Sequence, residues 1–463
     1  MSADLQATTA VARPEERMHV TRPSTRLRNV EFGLLLLALA VGAAAMLLVQ
    51  FGALGHVDPH LFTLIGGLAV LVLAMHVVLR FAARDADPFI LPIVTTLNGI
   101  GIAEIYRIDI SPTGLARHTD DGTHQIAWTA LGIGAAILTL LVVRNHRVLQ
   151  RYTYIAMLVG IVLLLLPLIP GFGENVRGAR IWVHVGDLSF QPGEIAKIAL
   201  AVFFAGFLVA RRDSLAMAGP KVLGLRLPRA RDLGPILVVW VLAVGVIVFE
   251  HDLGTGLLLF GMFVAMLYVA TGRTSWILLG LVLAGLGAWV ASRALDYVGD
   301  RFHNWLHAFD PSVYNAQGGS YQIVQAIFGL AHGGLFGTGL GQGRPDLTPV
   351  AASDFIMASI GEELGLVGVF AILCLYLLFV SRGFRVGFAG PDDFGKLFAV
   401  GLSFVFALQV FTVVGGIMRV IPNTGLTTPF LAAGGSSLIA NWMIAALLLR
   451  VSDTVRGGRR MVI

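Results

Sequence analysis

Charge is what this sequence has least of. Only 13% of its 463 residues are Asp, Glu, Lys or Arg, against about 25% in an average soluble domain. With 56% hydrophobic residues, the composition excludes an ordinary soluble globular protein and predicts a polytopic membrane protein. Cysteine is nearly absent: Cys374 stands alone in an apolar run, so no disulfide forms within the chain and a small hydrophobe is the natural reading. No Gly-Lys-Ser/Thr follows the glycine-rich stretch 333–343, which excludes a nucleotidase-type phosphate loop. Nothing resembles a nucleic-acid module, and the net charge of +5 fits basic loops beside membrane spans. Residues 1–30 carry Arg13, Arg17, Arg22, Arg26 and Arg28 without a long apolar core, so they read as a cytoplasmic tail rather than a cleaved signal peptide.

What is abundant is apolar sequence in span-length runs. They fall near residues 32–54, 61–82, 88–105, 125–143, 152–170, 195–210, 234–250, 253–271, 275–292, 355–381, 397–418 and 436–450. A bilayer crossing takes about 20 such residues. The prediction is an all-α polytopic integral membrane protein with about twelve transmembrane helices and a long extracytoplasmic loop. Alternating the loops from an inner N-terminus puts 24 Lys and Arg inside and 8 outside, with only Lys197 left in a span. That asymmetry predicts both termini in the cytoplasm. It also sends segment 171–194, the corner Glu250-His251-Asp252, loop 293–354 and segment 419–435 to one outer face. The inner stretch 211–232 reads as a solvated or lipid-surface segment.

Acids at membrane depth cost on the order of 2.5 to 3.5 kcal/mol each, so they usually line polar cavities or do chemistry. Asp354 opens the apolar run 355–380, interrupted only by Glu362-Glu363. It is the candidate working carboxylate; the alternative is a cap or dipole partner for its helix. Upstream, Gly186-Asp187 between apolar runs predicts a small interfacial hairpin anchored by Trp182. Pro192 suits a first helical position and Glu194 the first turn. Lys197, three residues on, can pair with Glu194, either as a structural ion pair or as part of a substrate cavity. Asp252 either caps the next helix or serves the site. The glycine-rich stretch 333–343 reads as tight backbone packing near a cavity. His303 and His307 have the spacing of zinc ligands but no evident third ligand, so no metal site is predicted.

An enzyme on the outer face lacks a dependable supply of nucleoside triphosphate. Bond formation there needs a donor activated inside the cell, and a lipid-linked pyrophosphate would serve. Arg177, Arg180, Arg344 and Arg419 lie outside against the positive-inside trend. Guanidinium groups grip phosphate oxygens in a bidentate manner, although each arginine can equally be an interfacial anchor.

Five stretches occur in order: Phe190-Gln191-Pro192-Gly193-Glu194-Ile195-Ala196-Lys197; His251-Asp252-Leu253-Gly254-Thr255; Tyr321-Gln322-Ile323-Val324-Gln325; Asp354-Phe355-Ile356 with Gly361-Glu362-Glu363-Leu364-Gly365; and Gly434-Gly435-Ser436-Ser437. Through them, residues from about 88 onward resemble the SEDS family of cell-wall proteins, which includes RodA, FtsW and SpoVE, and most of all its actinobacterial RodA branch. The resemblance implies a ten-helix core over 88–450 including the loop 293–354. It leaves 31–87 as two additional N-terminal helices and 1–30 and 451–463 as cytoplasmic tails. It implies a peptidoglycan glycosyltransferase of the cytoplasmic membrane that polymerises lipid II on the outer face for elongation and shape. The implied partners are a class B penicillin-binding protein and other elongation or division complex proteins.

Asp354 occupies the position of the family's essential aspartate, and Trp182 and Glu194 match two functionally important positions. Lys197, Arg177, Arg180, Asp252, Tyr321, Gln322, Arg344, Glu362, Glu363 and Ser436 are the further candidates for substrate binding. Arg177, Arg180 or an added divalent cation, Mg or Mn, would offset the charge of the leaving pyrophosphate; no other cofactor is expected. Gly193, Ser353, Ala432-Ala433 and Asn315-Ala316 depart from the family's usual residues. The competing readings are a flippase for the lipid-linked precursor, a division polymerase and a nonenzymatic scaffold.

Overall fold

The computed structural model describes residues 24–111, 121–176, 178–185, 188–216, 221–222, 225–226 and 233–458. The described chain begins with α1 (Ser24–Leu54), α2 (His60–Ala82), α3 (Ile90–Asp109), α4 (Asp121–Val142), the short α5 (Arg147–Arg151) and α6 (Thr153–Leu165). A three-stranded antiparallel sheet of β1 (Gly173–Val176), β2 (Ala179–Val185) and β3 (Leu188–Phe190) precedes α7 (Pro192–Ala216). Next come a two-stranded hairpin, β4 (Lys221–Val222) and β5 (Leu225–Arg226), and then α8 (Gly234–Glu250), α9 (Leu253–Thr271) and α10 (Thr274–Ala294). The long loop carries α11 (Asp296–Leu306), α12 (Pro311–Tyr314) and α13 (Tyr321–Gly333), and the fold closes with α14 (Ile356–Ala389), α15 (Asp393–Ile417) and α16 (Gly435–Gly458).

Among the described residues, nine helices are long and apolar enough to cross a membrane, and α6 and α8 are shorter apolar helices. With the 20-residue α3, they correspond to the twelve apolar runs of the sequence. Backbone groups in hydrocarbon must be satisfied within the segment, and a helix does this. The most apolar windows of α15 and α16 are 72% and 78% buried, those of α2 and α10 only 22%. The first pair therefore forms the centre of the bundle and the second its lipid-facing edge. Helix α1 lies on α3 at small residues: a Cβ on Gly42 would come 3.3 Å from Gly99 Cα, the close approach that membrane helices use in place of a hydrophobic drive.

Helix α14 differs from the uninterrupted run expected after the two glutamates. The break lies at Gly365, whose φ of 67° and ψ of −174° are not helical. The orphaned groups are taken up by the glycine-rich segment that follows α13. Thr338 and Gly339 donate to the carbonyls of Glu362 and Glu363 at 3.0 and 2.9 Å, while Leu366 and Val367 donate to Gly334 and Leu335 at 2.9 and 3.1 Å. A Cβ on Gly337 would lie 2.1 Å from the Glu363 carbonyl oxygen. Glycine is thus required there so that two backbones can meet. The expectation of tight packing in this stretch holds, and the long loop dips back alongside α14 rather than staying at its end.

The other end of the bundle, inner in the sequence-based topology, is tied by ion pairs. Asp87 meets Arg382 at 3.2 Å and Arg456 at 2.5 Å. Asp392 caps α15 through the Gly395 amide at 2.7 Å and pairs with His146 at 3.1 Å. Burial alone would raise its carboxyl, yet the His146 and Gly395 hydrogen bonds hold it well below the usual carboxylate range.

Candidate active site

Asp354 is half-buried in a turn just ahead of α14. The N-cap position of that helix belongs to Phe355, whose side chain makes no cap, so Asp354 stands one residue outside the helix. Around it meet three segments that the sequence sends to the outer face. Ala433 donates to the Ala352 carbonyl at 2.8 Å, joining the 419–434 segment to the turn. Arg301 of α11 donates to the carbonyl of Thr424 at 3.0 Å. The position that a Cβ on Gly425 would occupy lies 3.6 Å from Arg301 Nη2 and 4.0 Å from Asp354 Oδ2. A guanidinium and a carboxylate therefore flank one glycine.

Arg301 is the residue that sequence reasoning missed. It was one of eight outer arginines and lies in none of the motif stretches; only its place on the side poor in cations hinted at it. Its guanidinium lies over Tyr297, 6.0 Å from the ring centroid. Tyr297 donates to the Ile247 carbonyl at 2.5 Å, and burial pushes its phenol up to about 12, with Arg301 pulling the other way. The His251 ring packs 4.7 Å from Tyr297, and its Nδ1 lies 2.8 Å from the Gly178 carbonyl. A line of contacts thus joins the β-sheet to the Asp354 turn. Beside it, between α8, α9 and α10, is an apolar cavity of about 480 Å³ that is also lined by Phe302, Pro422 and Thr424.

A second line reaches the same segment from α7. Pro192 begins that helix and Glu194 falls in its first turn, as the sequence predicts. Lys197 Nζ lies 2.9 Å from Glu194 Oε2 and donates to Gln409 Oε1 at 2.9 Å. Gln409 in turn donates to the Thr427 carbonyl at 2.9 Å, and the Thr427 hydroxyl to Ser437 Oγ at 2.9 Å. Ser436, buried at the start of α16, accepts from the Gln191 amide at 2.9 Å. The Phe190–Lys197 and Gly434–Ser437 motifs are therefore joined by partly buried hydrogen bonds.

Asp252 caps α9, accepting from the Thr255 amide at 2.9 Å. The predicted hairpin is present as β2 and β3, with Val183 opposite Phe190; residues 186–187 of its turn, and Arg177, lie outside the described residues. Trp182 is half-buried on β2 opposite Glu174, and Arg180 is exposed on the same strand. Tyr321 and Gln322 are exposed at the start of α13, where the Tyr321 ring meets Tyr314 at 5.2 Å.

Glu362 and Glu363 lie two turns into α14, not beside Asp354. Glu363 accepts from Arg107 Nε at 2.9 Å and from the Gly341 and Gly343 amides at 2.8 and 3.2 Å. It is fully buried, and these contacts tie α3 and the returning loop to α14 near the helix break. Glu362 meets His332 and the Arg344 amide, each at 3.0 Å. The Arg344 side chain is engaged in a bidentate pair with Asp346, at 3.1 and 3.2 Å, whose hydrogen bonds and charge raise the guanidinium further.

The His303 and His307 rings stack 4.9 Å apart. Among the described residues no group of three or more His, Cys, Asp or Glu could hold a metal ion. A divalent cation prefers several oxygen ligands, whereas the Asp354 turn offers one carboxylate facing a guanidinium. That donor set does not fit a resident Mg or Mn.

The profile of the FtsW/RodA/SpoVE family, described as cell cycle proteins, matches residues 88–457. The chain belongs to that family. Among relatives of this SEDS protein is the peptidoglycan glycosyltransferase RodA of Mycobacterium tuberculosis, 45% identical over 94% of this chain and 93% of its own. That coverage extends upstream of residue 88, so the mycobacterial likeness takes in sequence outside the family profile. Stage V sporulation protein E of Bacillus subtilis is 32% identical over 80% of this chain and 98% of its own. Among solved structures, a chain of a peptidoglycan synthase complex that coordinates polymerization and crosslinking matches with a TM-score of 0.63 at 25% identity, over 80% of this chain and 98% of that one. A variant of Thermus thermophilus RodA gives 0.57 at 26% identity, with the same coverage. The mostly helical membrane fold is thus the family's.

Proposed function

We propose that this protein is a peptidoglycan glycosyltransferase that polymerises lipid II into glycan strands, with Asp354 as its working carboxylate. The observation that carries the reading is the position of Asp354: outside its helix, half-buried, and flanked by Arg301 across Gly425. A hydroxyl is a poor nucleophile, and the donor carbon passes through an oxocarbenium-like state. Asp354 takes the proton from the acceptor hydroxyl as its oxygen attacks the donor carbon, help typically worth 10² to 10⁴ in rate. The bond from that carbon to the pyrophosphate oxygen breaks, and its electron pair leaves with the pyrophosphate. No step is assigned to a divalent cation.

The elongation role is favoured over division because identity to mycobacterial RodA is 45%, against 30% to the FtsW of Trichlorobacter lovleyi. A class B penicillin-binding protein is the proposed partner, supported by the likeness to a chain from a complex that couples polymerization to crosslinking. The positive-inside count supports cytoplasmic termini and an extracytoplasmic site. The test incubates purified protein, alone and with its candidate partner, with labelled lipid II and resolves the products by gel. Glycan ladders from wild type and none from Asp354→Asn are expected. Absence of polymer in every preparation, with lipid II moving between vesicle leaflets, would transfer the assignment to a flippase.

A further inference from the structure

Three observations converge beside the apolar cavity. Phe302 and Thr424 line the cavity, and the neighbour of each, Arg301 and Gly425, borders the Asp354 turn. The Arg301 guanidinium is fixed there by the carbonyls of Thr424 and Asn423, at 3.0 and 3.5 Å, with Nη2 directed toward Gly425. Thr424 is 4% exposed, and its hydroxyl has no hydrogen-bond partner among the described residues. A buried hydroxyl without a partner costs roughly 1–3 kcal/mol, which a bound polar group would recover.

The order in space is apolar cavity with Thr424 at its lining, then the Arg301 guanidinium, then the Asp354 carboxylate. A sugar linked through pyrophosphate to an isoprenoid has the same order: apolar chain, dianionic linker, reacting sugar. We infer that Arg301 and Thr424 form the pyrophosphate subsite of this enzyme, with the isoprenoid in the cavity between α8, α9 and α10 and the sugar carbon at Asp354. The assignment rests on the glycosyltransferase reading. As the bond between the sugar carbon and the pyrophosphate breaks, negative charge grows on the departing oxygen. A guanidinium already held by two carbonyls meets that charge without reorganising, which is where electrostatic catalysis is strongest.

The test uses the full chain in detergent, with lipid II as polymerisation substrate and undecaprenyl pyrophosphate as the titrated probe in equilibrium binding. Arg301→Gln is expected to lower kcat at least tenfold and weaken binding of the probe by a similar factor. Asp354→Asn, equally impaired in polymerisation, keeps wild-type affinity for the probe, and Thr424→Val loses part of it. Arg301→Lys, which keeps the charge and can still reach the carbonyls, recovers part of both losses and serves if the Gln variant does not fold. Wild-type affinity for undecaprenyl pyrophosphate in the folded Arg301 variants overturns the subsite, whatever their turnover. A wild-type chain that binds the probe through Arg301 but makes no glycan leaves the subsite standing and overturns the polymerase reading instead.

Discussion

The ammonium of Lys197 lies 2.9 Å from the carboxylate of Glu194, and both side chains are buried within the first turns of α7. Removing one member of such a pair strands the other charge, at a cost of about 3–5 kcal/mol. Lys197→Met and Glu194→Gln should each destabilise the protein by that order, and the double variant by clearly less than their sum. Thermal unfolding in detergent, analysed as a double-mutant cycle, checks this; additive losses would mean that the two charges do not depend on each other.

Asp354→Asn should leave the unfolding midpoint unchanged while glycan polymerisation falls by about 10² or more. Rates on labelled lipid II decide it. Normal turnover by this variant refutes the catalytic assignment.

Gly425 has φ of 72°, and a Cβ there would approach both Arg301 and Asp354. Gly425→Ala should cost about 1–2 kcal/mol in backbone strain and, in addition, depress turnover by crowding the two groups. Gly171 has φ of 88° with nothing within 4 Å of its Cβ position. Gly171→Ala is therefore the control, equally strained but active. Equal activity of the two variants would remove Gly425 from the site.

Helix α1 supports the segment that holds the broken α14. Gln342 donates to the Gly52 carbonyl at 2.7 Å, and a Cβ on Gly52 would come 2.3 Å from the Leu340 carbonyl oxygen. Gly52→Leu should push this segment outward, loosen the Gly341 amide from Glu363 and cost about 1–3 kcal/mol as overpacking does. Gln342→Ala should act more weakly in the same direction. Hydrogen exchange of residues 338–343 reads the effect; unchanged protection in Gly52→Leu would mean that α1 gives no such support.

The depressed Asp392 carboxyl gives a pH dependence of known sign. Because its folded value lies below the unfolded one near 3.9, its contribution is fully present above about pH 4 and disappears as pH falls through the folded value. Asp392→Asn should lower stability at neutral pH and flatten the acid limb of the unfolding profile. An unaltered acid limb would place the sensitivity in other groups.

Several local features of the site were legible before any coordinates. The Glu194–Lys197 pair follows from a three-residue spacing on one helix, and Pro192 and Asp252 follow from the chemistry of helix starts. The cap alternative for Asp354 looked equally sound, yet α14 starts one residue later than a cap at Asp354 needs. Gly365 sits in an apolar run that holds other glycines, and nothing in its neighbours marks it as the one with positive φ. The partners of Glu363 were not legible, because Arg107, Gly341 and Gly343 are contributed by α3 and by the return of the long loop.

Sequence alone determined that this chain crosses a membrane many times and that few charges lie within its spans. Both are short-range consequences of what lipid excludes: unpaired backbone over a window of about 20 residues, and charge at depth. Only the tertiary structure decided that Arg301 and Asp354, more than fifty positions apart, share Gly425, and that an apolar cavity lies beside them. Such meetings are set by how helices pack and where loops close, and no local spacing in the chain encodes them.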